Sequence, residues 1–135
     1  MNHADETANQ IMALDRAALD RWGKGDPGGY LELSAPDTTY FDPVLARRID
    51  GYRALEEHFI PIAGKVSIDR YEMLNAHVTV EGASALLTYN LVDYVSGEPK
   101  PTRWNVTQVY RRSEEGWKII HSHYSFTQPE PVRTA

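Results

Sequence analysis

Apolar residues near the start of the chain recur with the spacing of an amphipathic helix. Ile11, Leu14, Ala18 and Trp22 follow one another at intervals of three and four residues, which places them on one helix face. The glycine-containing stretch 23–25 that follows is typical of a helix end. The pattern therefore predicts a first helix that buries this apolar stripe.

Two shorter helices and one strand are predicted before residue 65. Asp26 and Pro27 are residue types that start a short second helix. The β-forming residues of Thr38–Phe41 predict a first strand. Asp50 can cap a third helix, whose apolar stripe is formed by Leu55, Phe59 and Ile62.

From Lys65 onward the pattern changes to segments rich in Val, Ile, Thr, Tyr and Trp, bounded by Gly, Pro, Asn or Ser. The tetrapeptides "EGAS" and "SEEG" are typical of hairpin turns. Helices followed by a strand meander predict an α+β fold, in which the N-terminal helices pack on a strongly curved, mixed, mostly antiparallel sheet. We expect a single domain over residues 1–135, with a frayed tail at 128–135.

Composition narrows the classes of function. The absence of cysteine excludes disulfides, thiol chemistry and thiolate metal sites. A formal net charge of −5, with basic clusters only two residues long, argues against nucleic acid binding. No apolar run approaches the roughly 18 residues of a membrane span, and the polar N-terminus lacks a signal pattern, so we expect a cytoplasmic protein. No phosphate loop, dinucleotide fingerprint or serine nucleophile elbow is present, and we expect no cofactor.

The stretch "GWKIIHSHYSFT" raises the question of where two closely spaced imidazoles point. In a regular strand, Trp117 and Ile119 share a face with His121 and His123, while Ser122 and Tyr124 lie on the other. A His-x-His pair occurs in some metal sites, but no third ligand can be nominated. Histidines at an interface are the alternative interpretation.

Three stretches carry a resemblance to a known superfamily: "TTYFDP", "NAHVTVEGASALLTYNL" and "WNVTQVYRRSEEGWKIIHSHYS". The sequence resembles the nuclear transport factor 2-like superfamily, in particular its SnoaL-like group and bacterial relatives of the calcium/calmodulin-dependent kinase II association (hub) domain. The resemblance implies a cone-shaped α+β barrel with a deep pocket between helices and sheet. It also implies a homodimer formed through the outer face of the sheet.

The resemblance also implies which side chains line the pocket. Arginines of the hub domain match Val92, Gln108 and Tyr124 of this chain, so the acidic-ligand role of the hub is doubtful here. Carry-over of the pocket face gives Asn90, Val92, Trp104, Gln108 and Ser122 as ligand-binding residues. The phenol of Tyr40 is a further ligand-binding candidate. His121 and His123 then point outward, and Trp117 is expected to cover the outer sheet face. We therefore expect a neutral, partly apolar organic compound as ligand.

Three residues are candidates for catalysis, each with a structural alternative. Asp42 follows the first strand and can act as a general base, although Asp-Pro is also ordinary turn chemistry. Tyr124 can donate a hydrogen bond to a developing oxyanion or simply fill volume. His58 is a further candidate base on the third helix, whereas Asp93 is expected to be solvated.

Three functions remain open from the sequence. The first is a small-molecule-binding protein without catalysis. The second is a cofactor-independent isomerase, cyclase or dehydratase that acts by proton transfer. The third is a hub-like oligomerisation module.

Overall fold

The computed structural model describes residues 3–127; the tail 128–135, predicted to be frayed, lies outside them. The elements in chain order are α1 (His3–Gly23), α2 (Gly28–Leu33), β1 (Ser34–Phe41), β2 (Ile49–Asp50), α3 (Tyr52–Phe59), a 3₁₀ turn (Ile60–Ile62), β3 (Ile68–Glu81), β4 (Ser84–Val95), β5 (Thr102–Ser113) and β6 (Gly116–Phe126). No helix within residues 3–127 is long and apolar enough to cross a membrane.

The six strands form one sheet in the order β2-β1-β6-β5-β4-β3. β1 runs parallel to β6, and all other neighbours are antiparallel. The predicted α+β class, with helices on a mixed, mostly antiparallel sheet, is confirmed. The sheet remains open, with β2 and β3 at its edges.

The first helix packs on the inner face of the sheet through a stripe centred one residue away from the predicted one. Ile11, Asp15, Ala18 and Leu19 are buried, whereas Trp22 is half-buried. A large apolar side chain contributes about 1.5–3 kcal/mol when it is fully buried, so the isoleucine and leucine anchor the helix. The aspartate in the middle of this stripe is exceptional and is part of the site described below.

The second helix crosses the first at Gly29. A Cβ atom built on Gly29 would lie 2.9 Å from the Cα atom of Ala18, closer than any side chain tolerates. Glycine therefore permits the backbones to approach, and the next residue, Tyr30, is buried beneath the helices.

A β-bulge in β6 decides which of its side chains face the core. The pairing of β5 with β6 shifts between Val109 and Tyr110, so Ile120 is an extra residue in the ladder. Trp117 and Ser122 consequently lie on the same inner face, and Trp117 is only 6% exposed. The prediction that Trp117 covers the outer face is wrong, because strict alternation does not extend through a bulge.

Candidate functional site

A cavity of about 200 Å³ lies between the helices and the inner face of the sheet. Its wall contains two carboxyl groups, Asp42 and Asp93, and among the described residues no lysine, arginine or histidine. Exposed apolar side chains at Val44 and Phe126 also belong to the wall and mark its mouth. Seven aromatic residues contribute to it: Trp22, Tyr30, Tyr40, Phe59, Trp104, Tyr124 and Phe126.

Asp42 lies directly after β1 and is held by hydrogen bonds to both carboxylate oxygens. Its Oδ1 atom accepts from the backbone N–H of Val44 (3.0 Å), which is turn chemistry of the Asx type. Its Oδ2 atom lies 3.0 Å from the donating Tyr40 hydroxyl and 2.9 Å from His58 Nε2. The side chain is only 13% exposed. Asp42 is therefore both a turn residue and a carboxylate of the cavity wall.

His58 lies behind Asp42 and does not contribute to the cavity wall. His58 belongs to α3, and its side chain is 18% exposed. The centroid of its ring lies 5.7 Å from that of Tyr40. Because Asp42 lies between the imidazole and the cavity, His58 can orient the carboxylate more readily than it can contact a ligand. The structure thus joins two residues that the sequence presented as independent candidates.

A buried polar network extends from the cavity wall into the core. Gln108 Nε2 donates to the Tyr124 hydroxyl (2.9 Å) and to Asp15 Oδ1 (3.2 Å). The hydroxyls of Tyr110 and Tyr89 each donate to Asp15 at 2.7 Å. The carboxyl group is completely buried, and its burial raises the pKa of Asp15 despite the three donors.

Tyr124 and Gln108 are bonded to each other in this network, but they differ in their access to the cavity. Tyr124 lines the cavity, and burial raises the pKa of its phenol, which therefore stays protonated. Gln108 is fully buried behind the wall and does not line the cavity. Gln108 can therefore orient Tyr124, and the prediction that it contacts a ligand directly finds no support in the geometry.

Asp93, expected to be solvated, is instead buried and contributes to the cavity wall. Its Oδ2 atom accepts a hydrogen bond from Trp104 Nε1 (3.1 Å), while its Oδ1 atom is buried without a partner among the described residues. Burial raises the pKa of Asp93. The sequence signal was available in β4, where Leu87, Tyr89 and Leu91 alternate with polar residues and the same alternation leads to position 93.

Two predicted ligand contacts, Asn90 and Val92, lie on the wrong face of the sheet. β4 pairs with β5 so that Leu91 lies opposite Trp104, and both residues line the cavity. Asn90 points to the other face, where its amide donates to Asn105 (2.8 Å). The carry-over was displaced by one residue on this strand, and such a shift reverses every side chain. Tyr40, Trp104 and Ser122, also in the predicted set, do line the cavity.

The two histidines of β6 face away from the cavity, as expected. His121 Nδ1 is hydrogen-bonded with Thr39 Oγ1 (2.7 Å). The ring centroid of Phe41 lies 5.6 Å from that of His121 and 5.1 Å from that of His123. Partial burial and the neighbouring imidazole lower the pKa of His121. Within residues 3–127, no group of three or more potential ligands is arranged for a metal ion.

Helices packed on an open, six-stranded mixed sheet, with a cavity between the two layers, define a protein of the nuclear transport factor 2-like fold. A solved structure from Pseudomonas putida, described as an NTF2-like protein of unknown function, matches with a TM-score of 0.83. It is 20% identical and covers 99% of this chain and 96% of that chain. The SnoaL-like domain profile matches residues 11–129, and this chain belongs to the SnoaL-like domain family.

Two further structures connect the chain with the groups that the sequence suggested. A candidate ketosteroid isomerase from Parabacteroides distasonis is 36% identical, with a TM-score of 0.79, and covers 88% of this chain and 86% of that chain. The association domain of calcium/calmodulin-dependent kinase II from C. elegans is 22% identical, with a TM-score of 0.76, over 90% of this chain and 97% of that chain. At that identity the second likeness concerns the fold alone.

Among curated proteins, the delta subunit of calcium/calmodulin-dependent protein kinase type II from Oryctolagus cuniculus is 25% identical over 130 residues. The match covers 92% of this chain but only 24% of the kinase subunit. The chain therefore spans about a quarter of the length of this relative. The resemblance to SnoaL-like and hub-like proteins stated from the sequence is confirmed.

Proposed function

We propose that this protein binds a small, partly apolar organic compound that carries no acidic group. The observation that carries the proposal is the aromatic-lined cavity of about 200 Å³. An apolar cavity of about 150 Å³ is sufficient to hold benzene, so this space suits a compound with a single ring better than a four-ring steroid. No basic side chain from the described part of the chain lies in its wall, which argues against an acidic ligand.

The binding proposal predicts that filling the cavity abolishes ligand stabilisation. With 2-phenylethanol as a single-ring probe, the unfolding temperature of the wild-type protein should rise in a saturable way. At a hundredfold excess of the probe over its Kd, the free energy of unfolding should increase by about 2.7 kcal/mol. Ser122→Leu places a larger side chain in the cavity wall. It should weaken binding of the probe at least about tenfold, because the leucine methyl groups would occupy space that the probe's ring needs.

Ser125→Leu is the matched control, because Ser125 lies on the outer face of the same strand. It should leave the probe's affinity unchanged. Equal affinities of the two variants for 2-phenylethanol would contradict binding in the cavity.

Proton transfer is a second candidate function, and the geometry of Asp42 favours it. Asp42 is the general base in this proposal, oriented by Tyr40 and His58, which bond to its Oδ2 atom. Tyr124 donates a hydrogen bond to the oxygen on which negative charge develops. The reaction class is isomerisation, cyclisation or dehydration without a cofactor, with removal of a proton next to a carbonyl as its first step. The rate of such proton removal in Asp42→Asn decides this candidate.

Self-association is a third property that the observations favour. The chain resembles hub-domain structures, and the outer sheet face carries Phe41, His121 and His123, with Leu74 and Leu86 exposed by 38% and 41%. We propose that this face forms a homodimer. A larger ring, as expected for a hub-like module, is the alternative.

A charge at the centre of the outer face should disrupt the dimer. Thr107 pairs with His123 in the middle of the sheet, so Thr107→Arg places a cation where two copies would meet. Light scattering should give about twice 15.3 kDa for the wild-type protein and the monomer mass for the variant. The control Ala83→Arg adds the same charge in the exposed β3–β4 turn and should remain dimeric. A dimeric Thr107→Arg would place the interface elsewhere, and a mass well above the dimer would favour the hub-like module.

A further inference from the structure

We propose that the compound held in the cavity is a protonated organic amine, whose ammonium group pairs with Asp93. This inference rests on the proposed binding function and specifies its ligand class. It replaces the neutral ligand expected from the sequence. The cavity wall combines two carboxyl groups with aromatic rings and, among the described residues, contains no basic side chain. Within residues 3–127, the basic side chain bonded to one of these carboxyl groups is His58, which pairs with Asp42 from outside the wall, and Asp93 has no basic partner.

The two carboxyl groups of the wall differ in how well they are satisfied. Asp42 receives three hydrogen bonds, from Tyr40, His58 and the backbone of Val44. Asp93 is 6% exposed and receives one, from the indole of Trp104. Buried carboxyl oxygens are normally hydrogen-bonded, because an unpaired buried oxygen loses its hydration without compensation. The buried Oδ1 atom of Asp93, unpartnered within residues 3–127, is therefore the atom that a ligand would satisfy.

Two arginines that adjoin the cross-strand partners of Asp93, Tyr71 and Thr102, are directed elsewhere. Arg103 pairs with Val92 in the ladder and so belongs to the opposite face of the sheet. Arg70 stacks on the ring of Tyr94, with its guanidinium carbon 3.6 Å from the ring centroid. The direction of the Asp93 pKa, raised by burial with only an indole hydrogen bond acting against it, agrees with the lack of a cationic partner.

Aromatic rings beside Asp93 supply the rest of an ammonium site. Trp104 packs against Phe126 with ring centroids 4.6 Å apart and against Tyr124 at 6.3 Å. Aromatic faces attract an alkylammonium ion, and a tryptophan face does so most strongly. A carboxylate within an aromatic wall is thus complementary to an amine that carries one apolar ring.

Three single-ring probes of similar size separate charge from shape: 2-phenylethylamine, 2-phenylethanol and phenylacetate. At neutral pH the first is a cation, the second neutral and the third an anion. Calorimetric titration of the wild-type protein should give about tenfold or tighter binding of the amine over the alcohol, since a hydrogen bond to a charged group contributes about 1.5–3 kcal/mol. Phenylacetate should bind weakest.

Asp93→Asn tests the residue, because the amide keeps the shape of the carboxyl group and removes its charge. The variant should lose the preference for the amine while its affinity for the alcohol changes less than about threefold. Asp69→Asn removes an equal charge at an exposed position outside the cavity, and it should preserve the preference.

The outcomes distinguish this inference from the binding proposal. Equal or tighter binding of 2-phenylethanol by the wild-type protein, or an unchanged amine preference in Asp93→Asn, would overturn the ammonium site and leave the binding proposal intact. Binding of none of the three probes would count against both. A selective loss of amine affinity in Asp93→Asn alone would establish the contact.

Discussion

Replacement of Asp15 by alanine is expected to lower the free energy of unfolding by about 3 kcal/mol or more. The substitution removes the carboxyl group that accepts hydrogen bonds from the hydroxyls of Tyr89 and Tyr110 and from the amide of Gln108. Each buried donor that loses its partner costs about 1–3 kcal/mol, and the side chains of Tyr89, Tyr110 and Gln108 are all buried. Chemical denaturation monitored by tryptophan fluorescence measures the change.

Asp20→Ala is the matched control on the same helix. Asp20 also accepts a tyrosine hydroxyl, that of Tyr71 at 2.6 Å, but at an exposed position. Its loss should cost no more than about 0.5 kcal/mol. An Asp15→Ala variant as stable as Asp20→Ala would contradict the structural role of the network.

Asp15→Asn separates the hydrogen bonds from the charge. Burial raises the pKa of Asp15 in the folded state above the ordinary value of 3.8. At a pH between the unfolded-state pKa and the folded-state pKa, the folded state therefore binds more protons than the unfolded state. The wild-type protein must therefore lose stability as the pH rises through this window, relative to Asp15→Asn. Parallel stability curves for the two proteins would show that the carboxyl group is not shifted in this direction.

Replacement of Asp42 by asparagine is expected to reduce proton removal by about 10²- to 10⁴-fold, the usual contribution of a positioned general base. Phenylacetone is a suitable probe, because it has one ring and an acidic methylene group beside its carbonyl. The rate at which this methylene group exchanges hydrogen for deuterium in heavy water, followed by NMR, reports proton removal directly. Oδ1 remains an acceptor for the amide of Val44, so the turn should persist.

Two comparisons make the Asp42 result specific. His58→Gln should have a smaller effect than Asp42→Asn, because His58 bonds to the carboxylate but does not line the cavity. Asp50→Asn, at an exposed position paired with Arg48, should exchange the probe at the wild-type rate. Exchange by Asp42→Asn at the wild-type rate would eliminate Asp42 as the base. If the wild-type protein does not accelerate exchange at all, the proton-transfer proposal is wrong and the binding proposal remains.

The contrast between β4 and β6 shows how far a sequence can assign the faces of strands. On β6, the resemblance placed Ser122 and Tyr124 toward the pocket, and the structure has them there. On β4, the same reasoning selected Asn90 and Val92, which lie on the outer face. Strand register depends on pairing with neighbours, and an error of one residue exchanges the two faces.

Asp15 illustrates a signal that was present in the sequence and passed over. It lies four residues after Ile11 and four before Leu19, within the buried stripe of the first helix. A charged residue in such a stripe predicts a buried partner. Its partners are Tyr89, Gln108 and Tyr110, more than 70 residues away in the chain, and no local pattern identifies residues at that distance.

The sequence by itself determined the α+β class and the order of helices and strands, because helical spacing, strand alternation and turn residues act over a few positions at a time. Its resemblance to known proteins indicated the family. Only the tertiary structure decided that Asp42 and His58 form a pair, that Asp93 is buried without a counter-ion from residues 3–127, and that Tyr124 connects through Gln108 to Asp15. These relations depend on strand register, on the bulge at Ile120 and on the close approach of two helices at Gly29. Each of them is fixed by packing between segments distant in the chain, where displacements of a single residue or a few ångströms change which side chains meet.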